Sequence, residues 1–344
     1  DTGQATALTE AHSLTRSPCW TPDSRALLYV CNQGGTMDLW RQLVDDDGRP
    51  DGEPAVLTAG LGMSRCALSS DGRRLVYGRG GVVANLWRLP LQAEGPATWE
   101  QARQITFDEA LIEQADVSHD GSTLVLSSNR AGNPDLWLMP AEGGPMRQLT
   151  DDPAPDWFPR FSPDDQQLLF YAYRSDNRDL WVMPAGGGPA RQLTTAPGTD
   201  WFVDWSPDGR HVLWSSLRDG TMQMYWAALD DLVPQLVPAG PGKAGSFSSN
   251  VGVWVDAESL LVQRDGRVLQ MGRDGATLRT IEDMKLSANA MVMVPGAESV
   301  LYNDVEQIWR LDLESQERRP VTAFAGRPGS LGPVAGCDGE QLWF

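Results

Sequence analysis

The sequence predicts an all-β fold, a propeller of four-stranded antiparallel blades, on three observations. One phrase returns along the chain at intervals of about 40 to 50 residues, the spacing of propeller blades and not of helical repeats. Asp-Gly-type turns punctuate it at Asp23-Ser24, Asp71-Gly72, Asp120-Gly121, Asp164-Asp165 and Asp208-Gly209, and more weakly at Asp256-Ala257, Pro295-Gly296 and Asp338-Gly339. Such turns between apolar runs mark hairpins, because their left-handed backbone matches strand twist. The strands are apolar on both faces, as in Leu124-Val125-Leu126 and Leu168-Leu169-Phe170-Tyr171. A sheet covered on one side only would alternate.

Each unit has one grammar: an apolar strand, the turn, a second apolar strand, a polar loop, a Leu-Trp strand, a Gly/Pro turn and a short Gln-Leu-Thr strand. Units are expected at about 12–58, 62–106, 112–150, 156–194, 200–237, 249–281 and 286–324, within one domain. Residues 1–11 read as a lone closing strand and 329–344 as a partial last blade. Pairing of these ends predicts eight blades, with seven as the alternative, and removes the open edges that invite aggregation. Trp40, Trp87, Trp137, Trp181, Trp226 and Trp309 fall on the third strand of successive units, where they are expected to wedge between blades.

The composition excludes several functions. A net charge of −18, with 46 acidic residues against 28 basic ones and no basic cluster, argues against nucleic acid. Only Lys243 and Lys285 are lysines, so arginine carries the positive charge, and fixed pairing with carboxylates is the expected use. Cys19, Cys31, Cys66 and Cys337 lack metal-site spacing. No apolar run is long enough to span a membrane, so no direct insertion is expected. The loop Asp45–Glu53 has a faint calcium-loop look but lacks the ordered alternation, and reads as a solvated hairpin.

Catalysis is not expected. His12, His119 and His211 are the only histidines and no Gly-x-Ser-x-Gly elbow occurs. Asp116, Asp156, Asp200 and Asp204 sit on or near first strands, where carboxylates face the axis, but one per unit argues for repeated architecture over an acid/base pair. No metal or cofactor site is expected. The loops between second and third strands place Arg130 five residues before Asp135 and Arg174 five before Asp179, which predicts bidentate pairs within each loop. These loops share a rim with the segments Asp156-Trp157-Phe158 and Asp200-Trp201-Phe202. Those six residues, with Arg130, Tyr173, Arg174 and Arg218, are the expected partner-binding set, since Trp, Tyr and Arg anchor interfaces.

The phrases SPDG, LLFYAYRSDNRDLWVMP and ARQLT resemble the propeller repeat of the TolB family, which also occurs in bacterial sensors and in tricorn and prolyl oligopeptidase-type peptidases. The resemblance is strong between residues 112 and 226 and fades in the sixth and seventh units. It implies a non-enzymatic module that binds a protein, peptide or small ligand, as a periplasmic or extracytoplasmic sensor part. The alternative it implies is the substrate-gating propeller of a serine peptidase whose catalytic domain lies outside this sequence.

Overall fold

The computed structural model describes residues 7, 15–31, 33, 37–79, 84–92, 95–107, 110–175, 177–238, 252–264, 267–281, 291–304, 307–324 and 334–344. Among them every regular element is a strand apart from one helical turn at Trp99–Gln101, and no helix is long and apolar enough to cross a membrane.

The repeated turn explains why its phrase recurs. In Ser162-Pro-Asp-Asp, Ser162 Oγ donates to Asp164 Oδ1 (2.6 Å) and accepts the N–H of Gln167 (2.9 Å), while Asp164 Oδ1 accepts the N–H of Gln166 (3.1 Å). The same three bonds recur at Ser118/Asp120 and at Ser206/Asp208. The hydroxyl bond holds Asp120, Asp164 and Asp208 below the usual carboxylate range, although for Asp208 slight burial is the largest influence and opposes it. The following residue has positive φ: glycine at 121 and 209, but Asp165 at +59°. Aspartate there has a use, since its carboxylate accepts the N–H groups of His119 (2.8 Å) and Asp120 (3.2 Å) and so ties two neighbouring turns together.

The Gln-Leu-Thr ending is equally local in cause. Thr150 and Thr194 Oγ1 accept the N–H groups of Leu136 (2.9 Å) and Leu180 (3.0 Å), and Gln148 and Gln192 donate to Asp135 (3.0 Å) and Asp179 (2.9 Å). These bonds fasten a two-residue fourth strand that could not hold itself. Thr194→Val should therefore cost about 1–3 kcal/mol in urea denaturation, the penalty for a buried N–H without a partner.

Among the described residues six four-stranded sheets follow one another in a ring. Their inner strands are Ile112–Val117, Asp156–Phe161, Asp200–Trp205, Gly252–Trp254, Met291–Met293 and Gly336–Cys337, and each lies against the next, with the last returning to the first. Six apolar clusters fill the seams, one between each pair of sheets. Covering both faces of every sheet in this way accounts for the unalternating strands.

Among the described residues six sheets make the ring, where the sequence predicts eight blades or seven. The unit expected at 62–106 is divided. Its first two strands, Met63–Leu68 and Leu75–Arg79, form a separate hairpin, while Trp87–Pro90 and Arg103–Gln104 join Gly336–Cys337 and Gln341–Trp343 in the closing sheet. The C-terminal strands therefore pair with Trp87–Pro90. The lone strand expected at 1–11 lies, apart from Ala7, outside the described residues, as does His12. The unit at 12–58 does form a sheet, Thr15–Trp20, Ala26–Cys31, Asp38–Leu43 and Ala55–Val56, which packs on the 63–79 hairpin and not within the ring. Asp45–Glu53 is a hairpin whose Asp45 accepts the N–H groups of Asp47 and Arg49.

Closure is sealed by aromatics. Trp87, Trp99, Phe324 and Phe344 form a chain of ring contacts with centroids 4.5–5.6 Å apart. At Gly336 a Cβ would meet Val117 Cγ1 at 2.9 Å and Val117 N at 3.1 Å, so glycine is what lets the closing strand approach.

Of the third-strand tryptophans, Trp87, Trp137, Trp181, Trp226 and Trp309 pack against the seam clusters as expected. All six third-strand tryptophans stay half-buried, and the fully buried ones are Trp214, Trp254 and Trp343. Arginines cover the exposed rings: Arg130 lies 5.0 Å from Trp137, Arg174 5.4 Å from Trp181, Arg273 4.9 Å from Trp226 and Arg318 5.2 Å from Trp309. Stacking on indole is thus a recurrent use of arginine here beside carboxylate pairing.

Candidate functional site

An axial pocket of about 570 Å³ lies among the inner strands, at the end where the first-to-second strand turns gather. Its polar wall comes from one position of three successive first strands, occupied by Asp116, Arg160 and Asp204. A β-bulge aims these side chains. Pairing slips by one residue between Trp157 and Arg160, and again between Trp201 and Asp204. The extra residue sits at Phe158 (φ +56°) or Phe202 (φ +47°). Residues three apart normally face opposite ways; the bulge puts Trp157 and Arg160 on one side of the sheet, so the rim residue and the axial residue are set together. Left-handed backbone at a phenylalanine costs on the order of 1–3 kcal/mol and persists only where its surroundings impose it. Here the edge-to-face contact of Phe158 with Phe202, at 5.3 Å, does so.

Arg160 Nη1 donates to Asp116 Oδ1 (3.3 Å) and to the carbonyl of Ala335 in the closing sheet (3.3 Å). Asp116 also accepts the N–H of Phe161 (2.8 Å), and Asp204 that of Trp254 (3.0 Å). Burial raises both acids against the pull of Arg160. Asp204, further pressed by the charge of Asp116, is pushed up to about 6. The facing wall is apolar: Val253, Trp254, Met291, Met293 and Cys337. Burial pushes the Cys337 thiol up to about 12, and its Sγ donates to the carbonyl of Met293.

His119 also lines the pocket, but its Nδ1 meets Asp165 (3.1 Å). The His211 ring lies near Asp208 (3.7 Å) and Arg273 (3.3 Å). The ring of neither histidine hydrogen-bonds a serine or cysteine among the described residues. Among those residues no group of three or more His, Cys, Asp or Glu is placed to hold a metal.

The ten residues singled out in the sequence lie at the other end of the inner strands. Asp156, Phe158 and Asp200 are buried and present no surface; Trp157, Tyr173, Arg174, Trp201, Phe202 and Arg218 are half-buried, and Arg130 is exposed. Arg174 pairs with Asp156 through two bonds, Nε to Oδ1 at 3.0 Å and Nη2 to Oδ2, and Arg218 lies 3.6 Å from Asp200. This corrects the pair expected with Asp179, whose oxygens instead accept Ser175, Asn177 and Gln192. The corresponding expectation for Arg130 and Asp135 gives way to Arg130 over Trp137 and to Gln148 on Asp135. A carboxylate at the head of the first strand is a closer target than one across the loop. Asp156 is fully buried, and the ion pair is the condition for that burial.

The rim residue that sequence reasoning missed is Arg178. Its guanidinium lies 4.8–5.3 Å from the rings of Trp157, Tyr171, Tyr173 and Trp201, filling the aromatic cluster from within. The available signal was a departure from the repeat, since the neighbouring unit has Pro134 at that position. Arg160 was missed in the same way, as a lone basic residue at a position held by Asp116 and Asp204 on either side.

Residues 135–267 match the model of the tricorn protease N-terminal β-propeller domain. The fold is a β-propeller. A protein assigned as TolB from Agrobacterium tumefaciens shares 16% identity over 96% of this chain and 89% of its own, with a TM-score of 0.41. The oligogalacturonate lyase of Vibrio parahaemolyticus shares 18% over 90% and 94%, with a TM-score of 0.47. A chain of the nidogen/laminin complex shares 8% over 87% and 93%, with a TM-score of 0.52, which is likeness of fold alone. No curated protein matches. The propeller thus carries an axial pocket and an aromatic rim at opposite ends of its inner strands.

Proposed function

We propose that this propeller is a binding module without chemistry of its own, which takes a protein segment, peptide or small ligand at the axial pocket. The observation that carries this reading is the two-sided wall: an Asp116–Arg160–Asp204 set faces Val253, Trp254 and Met293 across about 570 Å³. Pockets of about 300–1,000 Å³ with a mostly apolar lining and a few placed polar groups are the form that ligand sites take. The absence of chemistry is supported by the commitments of its groups. Asp116 and Arg160 pair with each other, the Cys337 thiol stays protonated, and both histidine rings face carboxylates or arginine. The rim of Trp157, Tyr173, Arg174 and Trp201 is read as a second contact surface, and the module as the extracytoplasmic sensor part of a bacterial protein.

Val292, half-buried on the pocket wall, offers the test. Val292→Trp should fill the cavity and release whatever co-purifies with the unaltered protein, as read by native mass spectrometry, with the melting temperature little changed. Retention of the bound species by this variant would move binding to the rim. A second reading is favoured by the family match, which is to the propeller of a protease: the ring would then admit substrate to a peptidase domain. Hydrolysis of proline-containing peptides by the whole natural protein, blocked by a serine reagent, would establish it.

A further inference from the structure

The unit that opens with Met63–Leu68 and Leu75–Arg79 is left half built, because its own third and fourth strands serve the closing sheet. The hairpin ends on Leu75–Arg79, a strand paired on one side only among the described residues. Its cross-strand pairs sort by face. Leu68 with Leu75, and Cys66, pack on the N-terminal sheet through Leu28, Val30 and Leu39. Ala67 with Val76, and Arg65 with Gly78, lie on the other face, and all four residues are exposed. Val76 keeps 72% of its surface in solvent and Tyr77 43%.

Charge distinguishes this hairpin from the rest of the molecule. Arg65, Arg73 and Arg74 are exposed and make no ion pair among the described residues. The single carboxylate between residues 63 and 79 is Asp71, whose Oδ1 is taken by Ser69 Oγ and the N–H of Arg73. A basic edge therefore stands on a chain of net charge −18. Open strands with apolar side chains act as templates for another strand unless they are blunted. Pairing with a second copy of this chain would bring two basic hairpins together, which like-charge repulsion disfavours.

We propose that Leu75–Arg79 receives an extended acidic segment of a partner protein as an added strand, its backbone paired along the open edge and its carboxylates met by Arg65, Arg73 and Arg74. Affinity then comes from the main-chain ladder and from covering Val76 and Tyr77, and selectivity from the arginines.

The probe is a fluorescein-labelled peptide of alternating glutamate and valine, compared with its lysine–valine counterpart by anisotropy on the full chain. The acidic peptide should bind at least about ten-fold more tightly and lose affinity as salt rises. Amides of residues 75–79 should gain protection in hydrogen exchange when it is present. The triple variant R65E/R73E/R74E should lose that preference at an unchanged melting temperature, because the three side chains are exposed. Val76→Lys, which keeps the edge but removes its apolar cover, should weaken binding independently. Equal affinity for the two peptides, indifference to the triple variant, protection at the axial strands instead of 75–79, or concentration-dependent self-association lost in Val76→Lys would each overturn the proposal.

Discussion

Trp343→Ala is expected to lower stability by about 3–5 kcal/mol in urea denaturation, the cost of truncating a large core side chain without full collapse of the site. Trp343 is 1% exposed and fills the seam between the closing sheet and the sheet that begins at Ile112, beside Leu86, Leu124 and Met139. Its indole N–H reaches the carbonyl of Ala141 (3.4 Å). Position multiplies the consequence. The strand that carries Trp343 is the bond between the chain's end and Trp87–Pro90, with Trp343 opposite Arg88. Loosening it exposes two seams at once and turns a ring into an open array with free edges. Trp181→Ala, by contrast, should cost less, since Trp181 is half-buried under Arg174. If the two substitutions cost the same, the closing sheet is not the keystone that its packing indicates.

That contrast shows what the sequence could and could not convey. Strand order within a unit was legible because its causes are local: the hydroxyl–carboxylate turn at Ser162 and Asp164, and the threonine that accepts the Leu180 N–H. Both are complete within about 20 residues, so each repeat displays them whole. Ring size is decided elsewhere. Trp87–Pro90 carries the same Leu-Trp phrase as every third strand and suits the 63–79 hairpin or the C-terminal one equally by pattern. What separates the two is the seam formed by Trp99, Phe324 and Phe344, drawn from three distant segments. The same limit applied to Arg174. A carboxylate five residues away in the loop is conspicuous in sequence, whereas Asp156 becomes its neighbour only once the first strand lies beside the second. Asp116 and Asp204 were visible as axial carboxylates, but their meaning depended on Arg160 between them, a residue that reads as an ordinary substitution until the three strands are set side by side.

Asp204→Asn should stabilise the protein at pH 8 and leave it unchanged or slightly weaker at pH 4. The folded-state value of Asp204 is raised to about 6, above the ordinary 3.8, because burial opposes its charge. Between those values the folded chain holds a proton that the unfolded chain has released, so stability falls as pH rises through the window. Above about 6 the full penalty is present, and the asparagine variant escapes it. The gain is of the order of 2 kcal/mol from a shift of this size, tempered by the pocket's access to water. Asparagine keeps the acceptor for the Trp254 N–H, so the strand contact survives. It also removes a charge that acts on Asp116 and on Arg160, while the Arg160–Asp116 pair is kept. Asp135, raised to about 7 by burial and by the charge of Asp156, contributes in the same direction in both proteins. The turn aspartates Asp120 and Asp164 contribute oppositely, losing stability as pH falls, since their values are lowered. Both contributions cancel in the difference between variant and parent. The measurement is therefore the difference in urea midpoint across pH 4 to 8. A difference that grows as pH rises toward 6 and then levels assigns the titration to Asp204, and a flat difference would show that its carboxyl is hydrated through the pocket and carries no burial penalty.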